Sequence, residues 1–134
     1  MNLNGDCFDA VLVNLGNPHA VIAVDDVGAT PLDRLGKCAQ GNDAFERGVN
    51  LGIYQLIEPG CIRLRVYERG VGETPACGSG ACAAAVAARH NGHTSIHTVV
   101  HLPGGTLVID WHGEGHALTM TGPAQHVFDG VIEL

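Results

Sequence analysis

The chain has 134 residues, 46% of them hydrophobic, and a net charge of −7 from 7 basic and 14 acidic side chains. That is enough for one domain with a substantial core and too little for two comfortable ones. The acidic balance, with Lys37 as the single lysine, excludes a nucleic-acid backbone as partner, because no basic cluster exists to displace its counterions; a small polar substrate fits better.

Phe8–Leu15 and Ala20–Val24 read as strands, and Gly16-Asn17-Pro18-His19 between them as a turn, which sets Asn17 and His19 at a strand junction. Thr30, Pro31 and Asp33 predict an N-cap, a first-turn proline and a capping acid for a short helix closed by Gly41. Val49–Ile57 and Cys61–Glu68 predict strands around Pro59-Gly60. The second alternates Ile62, Leu64 and Val66 inward against Arg63, Arg65 and Tyr67 outward, and its far end delivers Glu68 and Arg69 beside the loop to Cys77. From Ser79 to about Asn91 the chain predicts helix, stopped by Gly92; alanine and valine on nearly every side mean that sheet wraps it. Strands follow near Ser95–Leu102, Thr106–His112, Ala117–Thr121, Ala124–Phe128 and Val131–Leu134, separated by tight turns. The expected architecture is α+β: a single domain over residues 1–134, with about eight or nine strands in a curled, largely antiparallel sheet, a short peripheral helix and one central helix. The longest apolar run, Ala81 to Ala88, is far short of the roughly 20 residues that span a bilayer, so no membrane role is expected.

The segment Pro75-Ala76-Cys77-Gly78-Ser79-Gly80-Ala81-Cys82 sets Cys77 at the start of the central helix behind a glycine-rich turn. Unpaired amides at a helix N-terminus stabilise negative charge, and a thiol there can have its pKa drawn from about 8.5 to roughly 3.5–7.5. A thiolate at neutral pH can attack, ligate or abstract a proton. Glycines at 78 and 80 keep side chains off those amides, so a carboxylate can lie directly on them. Cys82 falls inside the apolar helix and reads as core. The five cysteines show no framework spacing, and Met1–Ala10 carries acid and no positive charge, so a reducing, cytoplasmic compartment is expected.

Other constellations lead nowhere. His90, His93, His97 and His101 have helical ligand spacing, but Gly92 and the β-branched run from Thr94 to Val100 break the helix, so no metal is expected. Gly78-Ser79-Gly80 lacks the preceding strand and the ribose-binding acid of a dinucleotide turn. A pyridoxal Schiff base would need a lysine better placed than Lys37.

Gly16-Asn17-Pro18-His19, Arg65-Val66-Tyr67-Glu68-Arg69-Gly70, Gly72-Glu73-Thr74, Ala76-Cys77-Gly78-Ser79-Gly80-Ala81 and Met120-Thr121-Gly122-Pro123-Ala124, in this order, resemble the C-terminal half of diaminopimelate epimerase, from about Val11 to Leu134. The resemblance implies a cofactor-independent enzyme of lysine and cell-wall biosynthesis. It interconverts LL- and meso-2,6-diaminopimelate with two cysteines on opposite faces of the α-carbon, one removing a proton while the other returns one. It implies two similar halves, each a mixed sheet rolled around one helix, with the substrate between them. Cys77 would then be one of the two cysteines, Gly78 and Ser79 would supply backbone donors to the α-carboxylate, and Asn17 and Asn50 would bind polar ends of the substrate. Glu68 and Arg69 would fix an ammonium and a carboxylate, and His19 would assist near the reacting centre. Subunit pairing through C-terminal residues, with Phe128 at the contact, is implied as well.

One departure stands out. The family's other cysteine lies in an N-terminal half, in a turn of the kind Cys-Gly-Asn-Gly-Ala, and Cys7, Cys38 and Cys61 have no such turn behind them. Without an acid on the opposite face this chain alone should not epimerise. Two other functions stay open: a non-catalytic module that binds an amino acid through the same turn, and a racemase of another amino acid such as proline, against which Asn50, Glu68 and Arg69 argue for a substrate with a second polar end.

Overall fold

The computed structural model of the chain describes residues 1–3 and 5–134. Among them run β1 (Asn2–Leu3), β2 (Asp6–Cys7), β3 (Ala10–Asn14), β4 (Pro18–Ala23), α1 (Leu32–Gln40), β5 (Asn50–Glu58), β6 (Cys61–Glu68), β7 (Gly72–Thr74), α2 (Gly78–His90), β8 (His97–Leu102), β9 (Gly105–Trp111) and β10 (Leu118–Thr121). β1 and β2 form a small hairpin. The others make one sheet in the order β10-β9-β8-β6-β5-β4-β3, with β7 laid beside the end of β6. Pairing is antiparallel except for β4 with β5 and β6 with β8. The sheet curls around α2, which touches β3 to β6 and β8 to β10, so the expected α+β wrap is the fold.

Alternation along the strands builds two cores. Val21, Tyr54, Ile62, Leu64, Val66, Val100 and Ile109 face the alanines of α2. Ala20, Ile22, Leu51, Ile53 and Tyr67 point to the other side, where Leu32, Leu35 and Ala39 of α1 cover them. Tyr67, expected outward, is therefore buried: α1 lies over that face of β6. Gly36 allows the approach, for a Cβ there would stand 2.2 Å from Tyr67 Cγ. The ring cannot yield without opening the core, so Gly36→Ala should cost about 3 kcal/mol in a urea titration despite the better helix propensity of alanine.

Three other expectations change. The N-cap of α1 is Pro31, with no side-chain cap, because the Thr30 hydroxyl donates to the Asp26 carbonyl at 2.7 Å in the preceding turn. β4 begins at Pro18, so His19 lies within a strand and Asn17 alone holds the turn. Residues 122–134 carry no regular structure, so the strands expected at Ala124–Phe128 and Val131–Leu134 do not form; they have no neighbour in this chain to complete a ladder.

α2 matches its expected limits. Asn91 caps it and Gly92 follows at φ +76. The Asn91 amide donates to the Tyr54 hydroxyl at 2.8 Å, which pairs with His93 Nδ1 at 2.8 Å, so the buried phenol is satisfied while it ties the helix end to β5. Among the described residues no helix is long and apolar enough to cross a membrane.

Candidate active site

Topology gathers one rim of the sheet. β4 and β5 run parallel with His19 opposite Asn50, so both start at the same edge, and β6, antiparallel to β5, ends there with Glu68. The turn from Glu68 through β7 then brings the chain to the N-terminus of α2.

Cys77 is the N-cap residue of α2, extended at φ −148 and ψ 106, and its sulfur accepts the Gly80 amide at 3.3 Å. Gly78 and Ser79 occupy the first two helical positions, whose amides have no acceptor within the helix. Cys77 is half-buried, packing against the inner core on one side and open on the other. Cys82 is buried in that core, and burial, with the nearby Cys77 adding to it, pushes its thiol up; the expected contrast between the two cysteines holds in their positions.

A chain of polar contacts leads from the sulfur to β4. The Ser79 hydroxyl lies 3.7 Å from Cys77 Sγ, Asn17 Nδ2 donates to that hydroxyl at 3.3 Å, and Asn17 Oδ1 meets His19 Nε2 at 3.2 Å. With its amide nitrogen committed to Ser79, Asn17 presents only its carbonyl to His19, so the imidazole donates from Nε2. The Ser79 hydroxyl, receiving from Asn17, has its own proton to direct at the sulfur.

His19 is 2% exposed, and burial holds its imidazole below the usual value, against the opposing pull of Glu68. It is neutral in the folded protein while the unfolded chain takes up a proton below about pH 6.5. Stability is therefore full above that value and falls as pH drops below it toward the depressed folded value. His19→Gln keeps a donor toward Asn17 and removes the titration. Between about pH 7 and pH 5 the urea midpoint of the wild-type chain should fall further than that of the variant; equal falls would count against a buried neutral His19.

The remaining expected residues share the rim in different ways. Asn50 is buried, its amide donating to the Pro18 carbonyl at 3.2 Å and its carbonyl accepting the Arg69 amide at 2.9 Å. It thus joins the Asn17 turn to the end of β6, leaving one N–H for a ligand. Glu68 accepts the Thr74 hydroxyl at 2.5 Å. The Arg69 guanidinium donates to the Arg47 carbonyl at 3.1 Å, while its backbone amide donates to Asn50. Two neighbours escaped the sequence reading. Thr74 orients Glu68, and its signal was its place in the Gly72-Glu73-Thr74 motif. Met120 lies against the turn, its sulfur 3.2 Å from where a Cβ on Gly78 would stand.

His93, His97 and His101 each have a separate partner, in Tyr54, Asp110 and Thr106. Among the described residues no three metal-ligating side chains converge.

The sequence profile of diaminopimelate epimerase matches residues 11–127. The chain belongs to the diaminopimelate epimerase family. A family member from Alkalilimnicola ehrlichii, named diaminopimelate epimerase, is 53% identical over 134 residues, which cover all of this chain and 48% of that protein. One of the same name from Xylella fastidiosa is 50% identical over 131 residues, 98% of this chain and 46% of the relative. The chain thus spans about half the length of these curated epimerases. The crystal structure of a PhzF-family phenazine biosynthesis protein from Enterococcus faecalis matches with a TM-score of 0.55 at 17% identity, over 71% of this chain and 34% of that one; it shares the fold.

Proposed function

We propose that this chain is the C-terminal half of a cofactor-independent diaminopimelate epimerase and that Cys77 is one of its two proton-transfer groups. The observation that carries this is Cys77 Sγ at the N-terminus of α2, receiving the Gly80 amide at 3.3 Å beside the open amides of Gly78 and Ser79. In the proposed step the Cys77 thiolate takes the α-proton and becomes a thiol. The electron pair left on the α-carbon delocalises into the α-carboxylate, which the Gly78 and Ser79 amides hold as its charge grows. A thiol from the complementary half gives its proton to the opposite face and becomes the thiolate, so protons balance and the centre inverts.

Asn17 and the free N–H of Asn50 bind polar ends of the substrate, Glu68 takes an ammonium, and Arg69 swings from the Arg47 carbonyl to a carboxylate. His19, through Asn17 and Ser79, sets the donor direction toward the sulfur. The substrate is diaminopimelate, in lysine and peptidoglycan biosynthesis in the cytoplasm, and the chain self-associates through the C-terminal segment carrying Phe128. Binding of a doubly zwitterionic substrate, rather than proline, is supported by the acid and base at the end of β6.

A steady-state epimerisation assay tests the reading. The purified chain alone should give no turnover of LL-diaminopimelate, and adding the N-terminal half of the Alkalilimnicola relative as a separate polypeptide should restore it. Substantial turnover without a second polypeptide, or none with it, would overturn the assignment.

A further inference from the structure

We propose that Thr74 is the positioning residue that aims Glu68 at a substrate ammonium: its hydroxyl takes one carboxylate oxygen and leaves the other for the ligand. This rests on the reading of Glu68 given above and adds how its carboxylate is held ready.

β6 and β7 pair antiparallel, with Thr74 opposite Val66, Glu73 opposite Tyr67 and Gly72 opposite Glu68. Val66 belongs to the inner core and Tyr67 to the outer one, so alternation turns Glu68 and Thr74 to the inner face, diagonal to each other across the ladder. There the Thr74 hydroxyl donates to Glu68 Oε1 at 2.5 Å. Among the described residues no hydrogen bond reaches Oε2. Both side chains are half-buried, so that second oxygen stays open to a ligand. His19, two residues before the inward Val21, faces the same space, near enough for the Glu68 charge to act on its imidazole. The free oxygen therefore lies on the side of the Asn17 and Ser79 contacts that lead to Cys77.

A glutamate left alone spreads over many rotamers, and ordering it on binding costs affinity. A charge-assisted hydrogen bond orders it before the substrate arrives. Threonine suits the task because its β-branch restricts χ1, so the backbone of β7 fixes the direction of the hydroxyl. β7 has three residues and needs support of its own. The outer face supplies it. Arg65, diagonal to Glu73, donates to both oxygens of that carboxylate at 2.7 and 2.8 Å, while its Nη1 holds the Val27 and Thr30 carbonyls ahead of α1. Past Thr74, the Pro75 carbonyl accepts the Gly104 amide at 2.7 Å. The strand is thus held from both faces and at its exit, and the short stretch from Thr74 to Cys77 carries both the hydroxyl that aims Glu68 and the sulfur.

Steady-state kinetics with LL-diaminopimelate read the result, with the chain completed by the N-terminal half of the Alkalilimnicola relative. Thr74→Val keeps the shape and removes the hydroxyl. KM should rise about tenfold while kcat stays within about threefold, because the Glu68 charge remains and only its placement is lost. Thr74→Ser keeps the donor and should hold KM within about threefold of wild type. Glu68→Gln should raise KM at least as much as Thr74→Val, and combining the two should change KM by less than about twofold beyond Glu68→Gln alone, since the hydroxyl then has no charge to aim. Circular dichroism checks each variant, and Thr74→Ala takes the place of Thr74→Val if that one does not fold. An unchanged KM on loss of the hydroxyl, a Thr74→Ser enzyme as impaired as Thr74→Val, or losses that multiply in the double variant overturns the role of Thr74 and leaves Glu68 in place. An unchanged KM in Glu68→Gln, or no turnover by the assembled wild-type enzyme, overturns the reading of Glu68 and this inference with it.

Discussion

Cys77→Ala, in the chain assembled with the complementary half, should lower kcat for LL-diaminopimelate by about 10³-fold or more while KM changes little. Alanine offers no proton acceptor, and the neighbours are poorly placed to replace one. The Ser79 hydroxyl is engaged by Asn17, and the Glu68 carboxylate is tied to Thr74 at 2.5 Å. The Gly78 and Ser79 amides survive the substitution, so ground-state binding of the α-carboxylate persists and the loss falls on the proton-transfer step. Cys77→Ser should be nearly as damaging, since it keeps the size and the Gly80 hydrogen bond but supplies a far weaker base. Cys82→Ala is the control. That side chain is buried in the core, so its removal should cost about 1 kcal/mol of stability and leave kcat unchanged. A Cys77→Ala enzyme within tenfold of wild-type kcat would remove the thiol from the chemistry.

The turn at Cys77 was legible because everything that builds it is local: a turn-forming flank, glycines where side chains would obstruct, then alanines to carry the helix. The inward row Ile62, Leu64 and Val66 was legible for the same reason, as strand period shows in the residues themselves. What escaped depends on a second element. Tyr67 reads as outward by alternation and is buried because Gly36 lets α1 approach its ring. β7 is three residues with no strand signature, existing only as a partner for the end of β6. That the Asn50 amide and carbonyl join Pro18 to the Arg69 backbone shows only once β4, β5 and β6 are side by side. Residues 124–134 have strand chemistry without a strand, because a ladder needs a partner that no pattern within the chain supplies. Local spacing picked out the Cys77 turn, while the hydrogen bonds around its sulfur required the fold.

Gly80→Ala is expected to fail where Gly78→Ala is only weakened, and the difference lies in what each new methyl meets. On Gly78 a Cβ would stand 3.2 Å from Met120 Sδ and 3.3 Å from its Cε, the end of a flexible side chain that is 49% exposed and can move aside. Stability should change little, and the loss should appear in KM, because the methyl sits beside the amides proposed to hold the α-carboxylate. On Gly80 the Cβ would stand 3.0 Å from Val66 Cγ2, fixed in the inner core, and 3.1 Å from Cys77 Sγ. Valine cannot retreat without opening the core, so the sulfur must swing off the amide that now aims it. Alanine's helix propensity favours the variant by about 1 kcal/mol, and overpacking opposes it by about 1–3 kcal/mol, so the net expectation is a modest loss of stability. The kinetic effect is larger. A reacting atom displaced by about 1 Å costs on the order of 10²-fold, so kcat of the assembled enzyme should fall by about that factor with the fold intact by circular dichroism. Equal kinetic losses for the two variants would mean that the Gly80 contact does not set the position of the sulfur.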